Sequence, residues 1–336
     1  MTFSVSLQGN STTQSLRLKS MNSQLSDLQR QLATQKKHDK ISGFGTKAFR
    51  IQDLHEQNKK LDIYQENTKR VSTRMQMMTE SLEQMVTSAQ DVQDTILTQT
   101  REGEVDLSDI QNIADTSMRF MQDLLNTSDG SRYLFSGSAS SSKPMDNMAA
   151  LESNVNAEVS KWLDGTQTFD EMMTSIDSYT DEQLGLSSDL AGAGKTTTKI
   201  SDSVDVDYTA KANSDAFKNV IKGMALAKAA QFPDAATDIG TEAEFHKLLD
   251  TANNYLEDGI QGMRDTGFDL GAEYNLLKRV DEQNKSDSNM SQSLISDMED
   301  ADPTEVVVQI QSLQTQLTSS YEVTRIMSQL SLVNYM

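Results

Sequence analysis

The sequence predicts a mainly α protein in which both chain ends form long helical rods, with a smaller α+β domain between them. Near each end, apolar residues recur at alternating spacings of 3 and 4, the signature of one helical stripe. Only three prolines interrupt the 336 residues. The periodicity fades between residues 138 and 265, where alternating and irregular stretches take over.

Composition narrows the function. Thirty Lys and Arg face 50 Asp and Glu, a net charge of -20. Such a surface repels nucleic-acid phosphates and anionic lipid headgroups. There is no cysteine, which excludes disulfides, thiolate metal sites and cysteine nucleophiles. His38, His55 and His246 are far apart in sequence and make no histidine-rich metal motif. No catalytic, cofactor-binding or metal residues are expected, and the chain is read as a non-enzyme. No apolar run approaches the 18 residues of a membrane span, and MTFSVSLQGNSTTQS lacks the features of a secretory signal. A cytoplasmic protein follows, unless export reads something else.

Residues 1–12 read as extended or disordered. From Gln14 to Lys37, Leu18, Met21, Leu25, Leu28 and Leu32 form one seam, and DKISGFGTKA then bends the chain. A longer repeat follows through Arg50, Leu54, Gln57, Leu61, Tyr64 and Thr68, then Val71, Met75, Met78, Leu82, Met85, Ala89, Val92 and Ile96. Gly103 reads as its close. The next helix presents Ile110, Ile113, Ser117, Phe120 and Leu124 as an inner face and stops at Asp129-Gly130; RYLFSG then reads as a short strand.

The middle holds the single Trp, Trp162, with helices expected over 151–163 and 168–178, strand character at Val204, Val206 and Tyr208, and helices over 214–230 and 241–263. Leu270, Tyr274, Leu277, Asp281, Asn284, Ser288, Ser291, Ile295 and Met298 resume the rhythm. Asp302-Pro303-Thr304-Glu305 supplies an N-cap, a proline at the first helical position and an acidic third residue. The final seam runs through Val306, Ile310, Leu313, Leu317, Ser320, Thr324 and Met327, with the helix ending near Asn334.

A lone helix with either terminal seam is marginal in water, so each stripe needs a partner. An ordinary bundle in a soluble monomer, order acquired only in an assembly, and a membrane-surface helix over 14–37 are the alternatives. Polar seam residues such as Gln57, Thr68, Asn284 and Ser288 weaken an isolated rod but can select register between subunits. Residues 1–50 hold eight basic and two acidic side chains, whereas 141–266 hold ten basic and 22 acidic ones. Arg30, Lys36, Lys37, Lys40, Lys47 and Arg50 are therefore candidates to meet acidic surfaces such as Asp297, Glu299, Asp300 and Asp302, within or between chains; Lys36, Lys37 and Lys40 are the foremost intersubunit candidates.

Other motifs read as structural. AGAGKTTT (Ala191–Thr198) has Asp189 where a phosphate loop needs glycine, and it precedes a strand pattern. Asp205 and Asp207 alternate along that strand as a solvated face. Met75, Met77, Met78 and Met85 read as an adaptable seam, and Trp162 as local packing.

Three stretches resemble the bacterial flagellin superfamily, and within it the branch of hook-associated junction proteins. They are LSDLQRQLATQKKHDKISGFGTKAFRIQDL (Leu25–Leu54), NTSDGSRYLFSG (Asn126–Gly137) and the closing Asp297–Met336 with its aspartate-rich break. Gln35 stands where the family often has Gly, and Gly43-Phe44-Gly45-Thr46 replaces a common acidic element. The resemblance implies an inner coiled layer from residues 1–45 and 302–336, a rod domain from 46–139 and 267–301, and a variable α+β outer domain from 140–266. It further implies a structural adaptor joining the flagellar hook, through the first hook-associated protein, to the flagellin filament. The implied partners are that protein, flagellin, copies of itself and an export chaperone on the carboxyl-terminal helix. The implied location is the extracellular flagellum, reached by type III secretion without a cleaved signal. Filament flagellin and a cytoplasmic coiled-coil module are the alternatives.

The thin seams predict that residues 13–37 and 304–334 are largely unfolded in dilute monomer. Hydrogen exchange should show rapid exchange in both; strong protection in both would refute it.

Overall fold

The computed structural model describes residues 2–102, 105–234, 238 and 240–333. Its helices are α1 (Thr2–Thr34), α2 (Ala48–Glu102), α3 (Leu107–Leu125), α4 (Met148–Leu163), α5 (Phe169–Asp177), α6 (Asp215–Ala229), α7 (Glu242–Glu299) and α8 (Pro303–Val333). Strands β1 (Thr197–Lys199) and β2 (Asp205–Asp207) pair antiparallel, Thr198 opposite Val206. The fold is mainly α, and its two ends supply long helices, α1 packing along α8. The chain divides into two compact units, Met1–Asp62 with Lys285–Met336, and Ile63–Asn284.

The second unit has the larger core. Val71, Met75, Met78, Leu82, Met85, Ala89, Val92 and Ile96 are all buried, every one of them on the seam read from spacing. They join one cluster with Ile110, Met118, Met121 and Leu125 of α3 and with Leu256, Met263, Leu270 and Leu277 of α7. Methionine's unbranched thioether fills the irregular gaps of such a seam. Helix α6 packs on α3 and α4 and crosses α7 closely. A Cβ added at Gly259 would stand 2.5 Å from Val220 Cγ2 and 2.8 Å from the Ala216 carbonyl.

Several expectations change. Residues 2–12 belong to α1, because extending an existing helix costs far less than starting one. That helix ends at Thr34, three residues before Lys37. In the amino-terminal part of α2, Leu54, Leu61, Tyr64 and Thr68 are buried as expected, but Ile51 is buried in place of Arg50, and Gln57 is exposed. Ile51 precedes Leu54 by three, an equally helical spacing, and an apolar side chain displaces a charged one from the seam. On α3, Ile110, Ser117 and Leu124 are buried and Ile113 half-buried as expected; Ala114 and Met118 widen that face, and Phe120, 42 % exposed, lies off it. RYLFSG forms no strand; Tyr133 and Ser136 make isolated bridges to Ser128 and Lys211 while Leu134 and Phe135 are buried. The helical stretches expected over 241–263 and from Leu270 onward are one helix, α7. Gly103 and Asn334 lie outside the described residues.

Replacing Gly259 by Ala should lower stability by about 1–3 kcal/mol, the usual effect of overpacking. Gly271, also in α7, has open space at its Cβ position. There the same change should raise stability by up to about 1 kcal/mol through helix propensity. Thermal melts of the two variants check the opposite signs.

Candidate assembly site

The first unit is built around the α1–α8 pair. Leu18, Met21, Leu25 and Leu28 of α1 are half-buried, and Leu32 is exposed. On α8, Val306, Leu313 and Leu317 are buried, Ile310 is half-buried and Met327 is exposed. Asn22 Nδ2 donates to the Tyr321 hydroxyl at 3.3 Å, tying the two helices sideways. Beyond the shared stripe, Val307, Val308 (60 % exposed), Tyr321, Val323 and Ile326 leave apolar surface in water. A helix with apolar groups on more than one face has capacity for more than one neighbour.

The two linkers meet where these helices end. Gln35 adopts φ 54°, the left-handed conformation that favours glycine, which turns the chain sharply after α1. The Ala301 amide donates to the Gln35 carbonyl at 2.9 Å, and the Lys37 amide to the Glu299 carbonyl at 2.8 Å. Lys36 and Asp300 thus face each other in an antiparallel bridge. Lys36 Nζ reaches Asp300 at 2.6 Å and Glu299 at 3.1 Å, while Lys37 Nζ donates to the carbonyls of Asp297 and Met298 at 2.9 and 3.1 Å. A cation on the last turn of α7 complements the helix dipole. Glu299 also accepts from His55 Nε2 at 2.7 Å. Burial pushes the Glu299 carboxyl up, but the bonds from His55 and Lys36 outweigh it and hold the group below its ordinary range. The Lys36 hydrogen bond likewise lowers Asp300, and the Asp300 hydrogen bond raises Lys36.

Asp302 Oδ1 accepts from the Thr304 amide at 2.8 Å and the Glu305 amide at 3.4 Å, starting α8 at Pro303. The Glu305 carboxylate turns along the helix and accepts from Gln309 at 2.9 Å. Arg30 binds Asp27 at 2.6 Å, Asp39 at 2.5 Å and the Lys37 carbonyl at 3.1 Å. Lys40 stays exposed. Two polar seam residues are occupied inside the chain: Ser288 Oγ donates to Asn58 at 3.0 Å, and buried Asn284 donates to the Ile200 carbonyl at 2.8 Å. They fix register within the chain and are not free to fix it between subunits.

The remaining motifs are consumed structurally. In NTSDGSRYLFSG, Asp129 accepts from the Ser131 and Arg132 amides and meets Arg74 Nε at 2.5 Å. Burial raises the Asp129 carboxyl, but the Arg74 guanidinium and these bonds hold it well below the usual range. Gly137, at φ 58°, lies against the turn of AGAGKTTT, where a Cβ would stand 2.8 Å from the Gly194 carbonyl. The Gly194 amide is itself taken by Ser138 Oγ at 2.7 Å. Asp207 pairs with Lys195 at 2.9 Å, and Trp162 is buried edge-on against Phe169. His38 and His246 contact the Phe44 and Phe245 rings. Among the described residues no cluster of three or more His, Cys, Asp or Glu side chains could hold a metal ion, and no helix is long and apolar enough to cross a membrane.

Fold and site together define a helical scaffold whose polar groups hold helices in place. Among solved structures, a protein provisionally described as a flagellar hook-associated protein from Vibrio parahaemolyticus has the same fold: TM-score 0.54, 13% identity, covering 77% of this chain and 100% of that one. No family model and no curated protein matches the chain.

Sequence reading missed the His55–Glu299 bond and the linker bridge, since 244 residues separate the first pair and no local pattern marks it. Changing Glu299 to Gln should weaken the junction by about 1 kcal/mol or less, because Lys36 and His55 remain open to screening water. A lowered carboxyl contributes stability above its ordinary value and loses it as pH falls through the lowered one. The protection of the Lys37 and Ala301 amides, measured as exchange relative to the intrinsic rate at each pH, should therefore fall on acidification in the native chain, and show a shallower acid dependence in the variant.

Proposed function

We propose that this chain is a non-enzymatic structural subunit of the bacterial flagellum. In this proposal it is a hook-associated adaptor that links the hook, through the first hook-associated protein, to the flagellin filament. The observation that carries the proposal is the α1–α8 pair, which buries one stripe and leaves Val308, Val323 and Ile326 in water. Neighbouring copies, the first hook-associated protein and flagellin would each cover part of that surface, with an export chaperone holding α8 beforehand. Association of this kind stabilises the terminal helices by mass action. The fold shared with the Vibrio protein supports this class of subunit. The three sequence stretches resembling junction proteins favour the adaptor over a filament flagellin. In this arrangement residues 1–45 and 302–336 form an inner layer, 46–139 and 267–301 a rod, and 140–266 the outer domain, exported to the cell exterior without a cleaved signal.

Deleting the gene should leave hooks assembled while filament subunits escape into the medium. Immunogold labelling of sheared flagella should place the protein at the hook end; label along the filament would indicate a flagellin, and protein confined to the cytosol would refute both.

A further inference from the structure

The junction uses two of its cations and leaves three others. Lys36 and Lys37 are held by Glu299, Asp300 and the end of α7, whereas the exposed side chains of Lys40, Lys47 and Arg50 have no ion pair among the described residues. Among these cations stand Ile41, 41 % exposed, and Phe49, 83 % exposed; no large apolar side chain in the described residues is more exposed than Phe49. A single exposed apolar group is ordinary. Two within nine residues, beside three unpaired cations, make a patch. Its backbone is already fixed: the Gly43 amide donates to the Lys40 carbonyl, the His38 and Phe44 rings meet edge to face, and Phe49 sits in the first turn of α2.

The second compact unit carries a surface of opposite character. Between α2 and α3 lies an open groove of about 440 Å³ walled by Ile113 and Phe120 and rimmed by Glu83 and Asp91. Both carboxylates are exposed, neither has an ion pair among the described residues, and no basic residue lines the groove.

We propose that the Ile41–Arg50 turn of one copy docks in the α2–α3 groove of a second copy, Phe49 entering against Ile113 and Phe120 while Lys47 and Arg50 meet Glu83 and Asp91. The occupant is a second copy because the two surfaces are opposite in charge, each presents exposed or half-buried apolar side chains, and both belong to the same sequence. Two different patches joined in this way make a head-to-tail contact, which propagates into rings or filaments rather than closing as a dimer. Phe49 and Ile41 together bury roughly 300 Å², far below the ~1,000 Å² of a stable interface, so the contact adds to the terminal helices and does not replace them. The inference deepens the assembly function proposed above and rests on it.

Full-length protein with p-benzoylphenylalanine replacing Phe49, mixed from ¹⁴N and ¹⁵N chains, would be concentrated until it sediments faster than monomer, then irradiated. Mixed-isotope cross-links to peptides containing Glu83–Asp91 or Ile113–Phe120 are expected. The double change Lys47→Glu and Arg50→Glu should weaken association about tenfold, and adding Glu83→Lys and Asp91→Lys to the same chain should restore it. All four side chains are exposed, so the fold should survive; unchanged circular dichroism checks this. Cross-links confined to one chain or falling elsewhere, or undiminished association of the double variant, would overturn the contact and leave the assembly function standing. Wild-type protein that remains monomeric at every concentration would overturn both.

Discussion

Consecutive residues on a helix point about 100° apart, and a single neighbouring helix covers only one stripe. Helix α8 opens with Val306, Val307 and Val308, three apolar side chains aimed in three directions. Val306 is buried, Val307 is 37 % exposed, and Val308 faces water. No conformation of the α1–α8 pair can cover all three, because one cylinder cannot surround another. Further down, Tyr321, Val323 and Ile326 repeat the problem, while on α1 the seam residues Leu18, Met21, Leu25 and Leu28 reach only half-burial. The α1–α8 pair by itself therefore leaves this apolar surface in water.

The linkers decide how that incomplete pair is held. Four backbone groups at the ends of α1, α7 and α8 find each other through Gln35, Lys37, Glu299 and Ala301, so helix ends that would otherwise leave unsatisfied groups are closed by one short bridge. Glu299 then joins three segments, accepting from His55 of α2 and Lys36 of the linker while itself ending α7. Nearby, Ser288 binds Asn58, Asn58 binds Gln292 and Ser291 binds the Leu54 carbonyl. Polar contacts of this kind add little stability but allow only one register, which an apolar seam alone would not enforce.

The legible part of the chain was the part governed by local spacing. Val71 through Ile96 are buried as their 3-4 rhythm requires, and Asp302 caps α8 as its place before Pro303 requires. Failures came where two local patterns competed or where partners were remote. Arg50 and Ile51 both fit a helical seam, and only the cost of burying a guanidinium decides between them. Tyr133-Leu134-Phe135 looks like a strand, yet the Asp129 turn, anchored by Arg74, makes it an irregular loop with two buried side chains. Charge counting matched Lys36 and Lys37 to the acidic break at Asp297, Glu299, Asp300 and Asp302. Which acceptor each takes, and that the pairing is within one chain, depended on groups some 260 residues away.

Burial is distributed so that the two units differ in self-sufficiency. In Ile63–Asn284 the methionine-rich core of α2, α3 and α7 is closed off from water, and buried Asn284 has an internal partner in the Ile200 carbonyl. In the other unit the interior is a thin stripe supplemented by hydrogen bonds. Local opening follows the least buried contacts, so the terminal helices are the segments whose order responds most strongly to binding. Under the assembly role proposed above, the self-contained unit would keep its shape alone, and the dependent one would commit only when neighbours supplied the missing apolar faces.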